Sequence, residues 1–119
     1  MKAIRGATSI ESDNPEEIGS CVIELMEEIF RRNEIGELHS VIFTVTSDIT
    51  SYNPATAFRK AFNQSDVALL CLYEASFENS GGGIIRVLIH CESKTKNFVY
   101  LRRARNLRPD QVEIGDSNK

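Results

Sequence analysis

The order of strand and helix signals along the 119 residues predicts an α+β fold, with a mixed β-sheet covered by helices on one face. Two segments begin with Asn-Pro and carry apolar residues at helical spacing, which indicates amphipathic helices. Short apolar runs bounded by glycine or polar residues indicate strands. Five strands are predicted, at residues 2–5, 40–46, 67–74, within 81–91, and at 97–104.

The helices have clear start signals. Asn14 and Glu17 stand at the N-cap and capping-box positions of a helix predicted at 15–33. Asn53 caps a shorter helix predicted at 54–63. Placed among the five strands, these helices give the order β-α-β-α-β-β-β.

Composition limits both size and function. The chain is 41% hydrophobic and 26% charged, which is ordinary for one globular domain spanning 1–119, and we expect about 111–119 to be a mobile polar tail. The net charge of -3 and the absence of Trp argue against nucleic acid as a partner. The cluster RRARNLR at 102–108 is expected to be a solvated edge or tail. No apolar stretch is long enough to predict a membrane span.

The cysteines indicate a reducing compartment. Cys21, Cys71 and Cys91 are an odd number without CxxC spacing, which favours free thiols in a cytoplasmic protein. The two histidines are too few and too scattered to predict a metal site. We therefore expect neither disulfides nor a bound metal.

An arginine interrupts the apolar run GGGIIRVLIHC at 81–91. Strand alternation puts Ile85, Val87, Ile89 and Cys91 on a core face, and Ile84, Arg86, Leu88 and His90 on the other. Arg86 therefore points into solvent, a cleft or a neighbouring subunit. On the residues alone, an exposed arginine on an open sheet face, paired in a salt bridge, is the better explanation.

Five short motifs in order resemble the monofunctional chorismate mutases of the small trimeric α+β class. They are IRGAT at the N-terminus, D-x-x-x-x-x-P-A-x-x-x-R from Asp48 to Arg59, C-x-x-E from Cys71, I-R-V around Arg86, and V-Y-L followed by L-R-P-D up to Asp110. The resemblance implies that three subunits pack their sheets into a pseudo-barrel. It also implies active sites in the clefts between subunits, chorismate as substrate and no cofactor.

The resemblance also implies roles for individual residues. Arg86 would stabilise charge at the breaking ether bond, and Glu74 would accept the hydrogen bond of the ring hydroxyl, with Cys71 beside it. Arg5 and Tyr100 would bind the carboxylate of the enolpyruvyl side chain. The remaining substrate-binding residues would be Arg59 from the adjacent subunit, and Leu107 and Arg108 in a segment that closes the cleft.

Simple alternation sets one condition on these roles. It sends the side chains of Cys71 and Glu74 to opposite faces of a strand, so both line one site only if the strand ends or bulges near Tyr73. Two other functions stay open: a trimeric imine or enamine hydrolase of related architecture, and a non-catalytic amino-acid-sensing module.

Overall fold

A five-stranded mixed sheet forms one layer of the molecule and two helices form the other. The computed structural model describes residues 1–78 and 81–107. The elements are β1 (Lys2–Ser9), α1 (Pro15–Arg32), β2 (Ile35–Val45), α2 (Pro54–Phe62), β3 (Ala68–Tyr73), β4 (Ile84–Ser93), β5 (Val99–Tyr100) and a 3-10 helix (Arg102–Asn106).

The sheet has the strand order β3-β2-β4-β1-β5. Strand β4 runs antiparallel to both of its neighbours, β1 and β2. The outer pairs, β2 with β3 and β1 with β5, are parallel. The predicted mixed sheet is therefore confirmed, and β4, which carries Arg86, lies at its centre.

The core lies between the helices and one face of the sheet. Helix α1 buries an apolar stripe against the strands, because its apolar residues recur at the helical period: Ile18, Cys21, Val22, Leu25, Met26 and Ile29. The strands contribute Ile4, Val41, Phe43, Ile85, Val87 and Ile89 to the same core. The predicted core face of β4 is thus confirmed, although Ile84 on the other face is buried as well.

The helix starts follow the sequence signals with one difference. The Asn14 side chain accepts a hydrogen bond from the Glu17 amide at 2.8 Å, and Asn53 accepts one from the Ala55 amide at 2.8 Å. Glu17, however, accepts hydrogen bonds from the amides of Glu11 and Ser12 rather than from that of Asn14. The capping-box prediction is therefore wrong in its partner, because the preceding turn brings other amides to this carboxylate.

Several strand boundaries differ from the prediction, and three of them differ by four or five residues. Strand β1 continues to Ser9, because its pairing with β4 extends as far as Ile84. Strand β2 begins at Ile35 through two register shifts against β4. The strand predicted at 97–104 ends after Tyr100, since Arg102 adopts a left-handed φ of 53° and the chain enters the 3-10 helix.

The arginine-rich segment is anchored to the rest of the chain. The Arg102 Nε atom lies 2.9 Å from the Glu24 carboxylate. Arg103 pairs with Glu11 at 3.1 Å and donates to the Ile10 carbonyl at 2.8 Å. Both arginines are exposed, as expected of a solvated edge, but these contacts show that the segment is not a free tail. Arg108, Asp110 and the predicted tail at 111–119 lie outside the described residues.

Candidate active site

A cavity of about 240 Å³ opens on the sheet face that the helices leave uncovered. Strand register brings its walls together, because Arg86 pairs with Ala7 on one side and with Thr44 on the other, and Arg5 pairs with Leu88. The cavity is lined by Arg5, Gly6, Ile42, Thr44, Arg86, Val87, Leu88 and Tyr100. Three residues predicted from the sequence, Arg5, Arg86 and Tyr100, therefore line one cavity.

Arg86 is held by a carboxylate at the cavity edge. Its Nε atom donates to Glu74 Oε1 at 3.1 Å, and the same oxygen accepts a hydrogen bond from the Thr44 hydroxyl at 3.3 Å. The Arg86 side chain is 41% exposed and that of Glu74 is 19% exposed. Among the described residues, only Glu74 accepts a hydrogen bond from this guanidinium, so both of its terminal NH₂ groups remain available to a ligand.

Arg5 is the second cation at this cavity. Its guanidinium carbon lies 5.0 Å from the centroid of the Phe98 ring. Across residues 1–78 and 81–107 it forms no salt bridge with a carboxylate. Its hydrogen-bonding groups are thus free for the carboxylate of a ligand.

Tyr100 lines the cavity on the side of β5, and Leu107 packs near Tyr100 without lining the cavity. Tyr100 is buried and pairs with Ala7 in the parallel β1–β5 ladder. Leu107 is partly buried and packs against the small cluster of Ala7, Tyr100 and Ala104. The structure therefore places Leu107 beside this side of the cavity, while its neighbour Arg108 lies outside the described residues.

Cys71 lies on the other face of the sheet. It pairs with the buried Phe43, packs against the main core, and lines a separate cavity of about 240 Å³ beside the start of α2. Burial raises the pKa of its thiol. Strand β3 ends at Tyr73, and Glu74 turns toward Arg86. The strand end that a shared site requires is therefore present, but within one chain Cys71 and Glu74 line different cavities, so the expectation that Cys71 lies beside Glu74 is not met there.

Arg59 also lies away from Arg86. It is exposed in the last turn of α2, on the side of the sheet that the helices cover. Its side chain makes no hydrogen bond or ion pair with any described residue. The sheet separates Arg59 from the open-face cavity of its own chain.

Two residues beside the predicted set, Thr44 and Phe98, were not predicted from the sequence. Thr44 shares the open face with Arg86 and bonds the Glu74 carboxylate, and alternation around the buried Phe43 could have placed it there. Phe98 lies under Arg5, and no sequence signal pairs these two residues, since the contact depends on how the segment before β5 reaches β1.

Two features of the described residues bear on cofactors and membranes. Within residues 1–78 and 81–107, no three His, Cys, Asp or Glu side chains group together as metal ligands. In the same ranges, neither helix is long and apolar enough to cross a membrane.

The chain is similar in sequence to known chorismate mutases. The chain matches the family model for chorismate mutase type I over residues 1–111. It is 40% identical over 117 residues to chorismate mutase AroH of Thermus thermophilus, covering 92% of this chain and 95% of the relative. It is 28% identical over 116 residues to chorismate mutase AroH of Bacillus subtilis, covering 92% of this chain and 91% of the relative.

A solved structure shares the fold. A chorismate mutase from Clostridium thermocellum superposes with a TM-score of 0.82 at 32% sequence identity, covering 89% of this chain and 99% of that chain. The family match favours the isomerase over the hydrolase and the amino-acid-sensing module. The chain belongs to the type I chorismate mutase family.

Proposed function

We propose that the open-face cavity beside Arg86 is where this chorismate mutase converts chorismate to prephenate. The reaction is an intramolecular [3,3] rearrangement that requires no covalent intermediate and no proton transfer. A catalyst has to hold a compact conformer and stabilise the charge that separates as the C–O bond breaks. The observation that supports this assignment is that Arg86 and Arg5 line one cavity of about 240 Å³.

Arg86 is the electrostatic catalyst in this proposal. Its Nε bond to Glu74 fixes the guanidinium plane, and its terminal NH₂ groups face the negative charge that develops on the ether oxygen. Glu74, held by Thr44 as well, accepts the hydrogen bond of the ring hydroxyl and faces the positive part of the polarised transition state. The two groups thus match the two ends of the separating charge.

Arg5 and Tyr100 bind the carboxylate of the enolpyruvyl side chain. Arginine suits this role because its planar fork matches carboxylate geometry, and Arg5 has no carboxylate partner among the described residues. Leu107 packs on the cluster that contains Tyr100, and Arg108, the other residue predicted to bind substrate there, lies outside the described residues.

The remaining part of the site comes from a neighbouring subunit of a homotrimer. Arg59 lies on the helix-covered side of its own sheet, so a second chain has to bring it to the cavity. The exposed apolar side chains of the edge strand β3 also favour burial by another chain: Leu70 at 53%, Leu72 at 49% and Tyr73 at 63% exposed. Three such contacts closed by cyclic symmetry give three equivalent clefts.

The same proposal covers domain organisation and location. We take residues 1–119 as one catalytic domain that acts in the cytoplasm without a cofactor. The three free cysteines suit a reducing compartment, and two of them, Cys21 and Cys91, are buried in the core.

Replacement of Arg86 tests the assignment of the cavity. Arg86→Ala should lower kcat for prephenate formation by about 10²- to 10³-fold, the usual effect of losing one donor to a developing oxyanion. Arg86→Lys should recover little, because an ammonium on a different stem does not reproduce the planar fork. Arg31→Ala is the matched control, since Arg31 pairs with Glu28 on the exposed side of α1. Near-normal turnover of a folded Arg86→Ala protein would show that Arg86 is not the electrostatic catalyst.

A further inference from the structure

An aromatic ring supports the free arginine at the cavity. The Arg5 guanidinium carbon lies 5.0 Å from the Phe98 centroid, within the range of a cation–π contact. The Lys96 ammonium lies 5.8 Å from the same centroid. Of these two cations, only Arg5 lines the cavity. The Phe98–Arg5 contact is therefore the one that can affect substrate binding.

Phe98 is held on both sides along the chain. On one side, the Asn97 amide donates to the buried Asn33 side chain at 2.8 Å, and Asn33 Nδ2 donates to the Asn97 carbonyl at 2.9 Å. On the other side, Val99 pairs with Gly6, the residue after Arg5. The Phe98 ring packs against both apolar clusters of the molecule. It is therefore a fixed platform rather than a mobile surface ring.

We propose that Phe98 is a positioning residue for substrate binding. Its ring holds the Arg5 guanidinium at the cavity wall through the cation–π contact, so that Arg5 meets the substrate carboxylate in the required orientation. Phe98 acts only through Arg5 and does not touch the substrate. The inference rests on the proposed function, in which Arg5 binds a carboxylate.

The role predicts a specific kinetic signature. The carboxylate keeps its charge throughout the rearrangement, so Arg5 binds the ground state and the transition state about equally. Loss of the platform should therefore raise KM and leave kcat nearly unchanged. A purely structural role would instead lower thermal stability and the fraction of active enzyme, without a selective effect on KM.

Four variants test this signature in steady-state assays with chorismate. Phe98→Leu keeps an apolar side chain without a π face and should raise KM about 3- to 10-fold, with kcat within about twofold of wild type. Phe98→Tyr keeps the ring and should restore a near-normal KM. Lys96→Gln is the matched control and should leave KM unchanged, because Lys96 does not line the cavity. Arg5→Gln should raise KM by about 10- to 100-fold through loss of a charged hydrogen-bond donor.

The double variant Arg5→Gln/Phe98→Leu decides between positioning and structure. If Phe98 acts through Arg5, the second substitution adds no further rise in KM once Arg5 has been replaced. Two results would overturn the role of Phe98 while leaving that of Arg5 in place. One is that Phe98→Leu raises KM by the same factor with and without Arg5. The other is that Phe98→Leu leaves KM unchanged although Arg5→Gln raises it. An unchanged KM in Arg5→Gln would overturn the role of Arg5, and with it both proposals for this part of the cavity.

Discussion

Gly6 in β1 packs directly against α1 and β5, and its replacement by alanine gives a direct test of that packing. A Cβ atom at this position would lie 2.9 Å from Ile29 Cδ1 and 3.0 Å from the Val99 carbonyl oxygen. Ile29 is fully buried, so its side chain has little room to move. The Val99 oxygen belongs to the backbone of β5, so relief of the second contact has to displace that strand.

The expected cost follows from these contacts. Overpacking by one methyl group in a dense core typically destabilises a protein by about 1 to 3 kcal/mol. For a domain of this length, each kcal/mol lowers Tm by about 4 °C, so Gly6→Ala should lower Tm by about 4 to 12 °C. Displacement of β5 also moves Phe98 and Tyr100, and we therefore expect KM for chorismate to rise.

Thermal unfolding at one fixed protein concentration measures the effect, because the proposed trimer would make Tm depend on concentration. Gly19→Ala is the matched control, because a Cβ at Gly19 in α1 meets nothing within 4 Å. Alanine there should stabilise the protein by about 0.5 to 1 kcal/mol through its higher helix propensity. A Gly6→Ala protein with the Tm and KM of the wild type would refute the close packing of β1, β5 and α1.

Two predictions concern pH. Because the rearrangement has no proton-transfer step, kcat should change by less than about twofold between pH 6 and 8, whereas a bell-shaped profile near neutrality would indicate acid–base chemistry. Stability should fall in acid: a hydrogen bond from Ser51 lowers the pKa of Asp13 to about 2, and one from Arg31 lowers the pKa of Glu28 to about 2. A carboxyl group with a lowered folded-state pKa contributes stability above its unfolded pKa of about 4, and this is lost toward pH 2. The urea midpoint of unfolding should therefore fall between pH 5 and 2, and it should fall less in Asp13→Asn and in Glu28→Gln than in the wild type. An equal fall in all three proteins would contradict the stabilising role of these two carboxylates.

Local signals were enough to predict the helices and the central strand. Asn14 and Asn53 cap their helices through hydrogen bonds to nearby amides, so a few neighbouring residues determine where each helix begins. The faces of β4 follow from strict alternation, which depends only on the strand being extended. These features needed no knowledge of the rest of the fold.

Strand ends depended on distant partners. Strand β1 runs to Ser9 because β4 offers partners along that whole length. Strand β5 stops at Tyr100 because the chain turns at Arg102, whose side chain pairs with Glu24 on α1. Neither partner is visible in the local sequence, and for this reason the predicted boundaries were wrong there.

The candidate site was predicted only in part, because some of its contacts also depend on residues distant in sequence. The motifs named Arg5, Glu74, Arg86 and Tyr100; Arg5, Arg86 and Tyr100 line one cavity, and Glu74, just after β3, bonds Arg86. The side chain of Cys71 follows strand alternation from its buried partner Phe43, so its thiol lies on the face of the sheet opposite Arg86. The motif alone did not indicate this position. Contacts between segments distant in sequence, such as that of Phe98 with Arg5, required the three-dimensional structure.

The claim that the site is shared between subunits has a quantitative test in mixed oligomers of two inactive variants. Arg59→Ala and Arg86→Ala each remove one arginine from every cleft, so each pure variant should be nearly inactive. In a trimer refolded from an equal mixture, a cleft is intact only when its Arg86 and its Arg59 come from the two different variants in the correct order. Random assembly makes this about one cleft in four.

The measurement is the turnover of chorismate per cleft by the refolded mixture, with native mass spectrometry to show that mixed trimers have formed. A site shared between neighbouring subunits predicts recovery of about one quarter of wild-type activity. No recovery in mixed trimers would contradict it, because Arg59 and Arg86 would then not meet across a subunit interface.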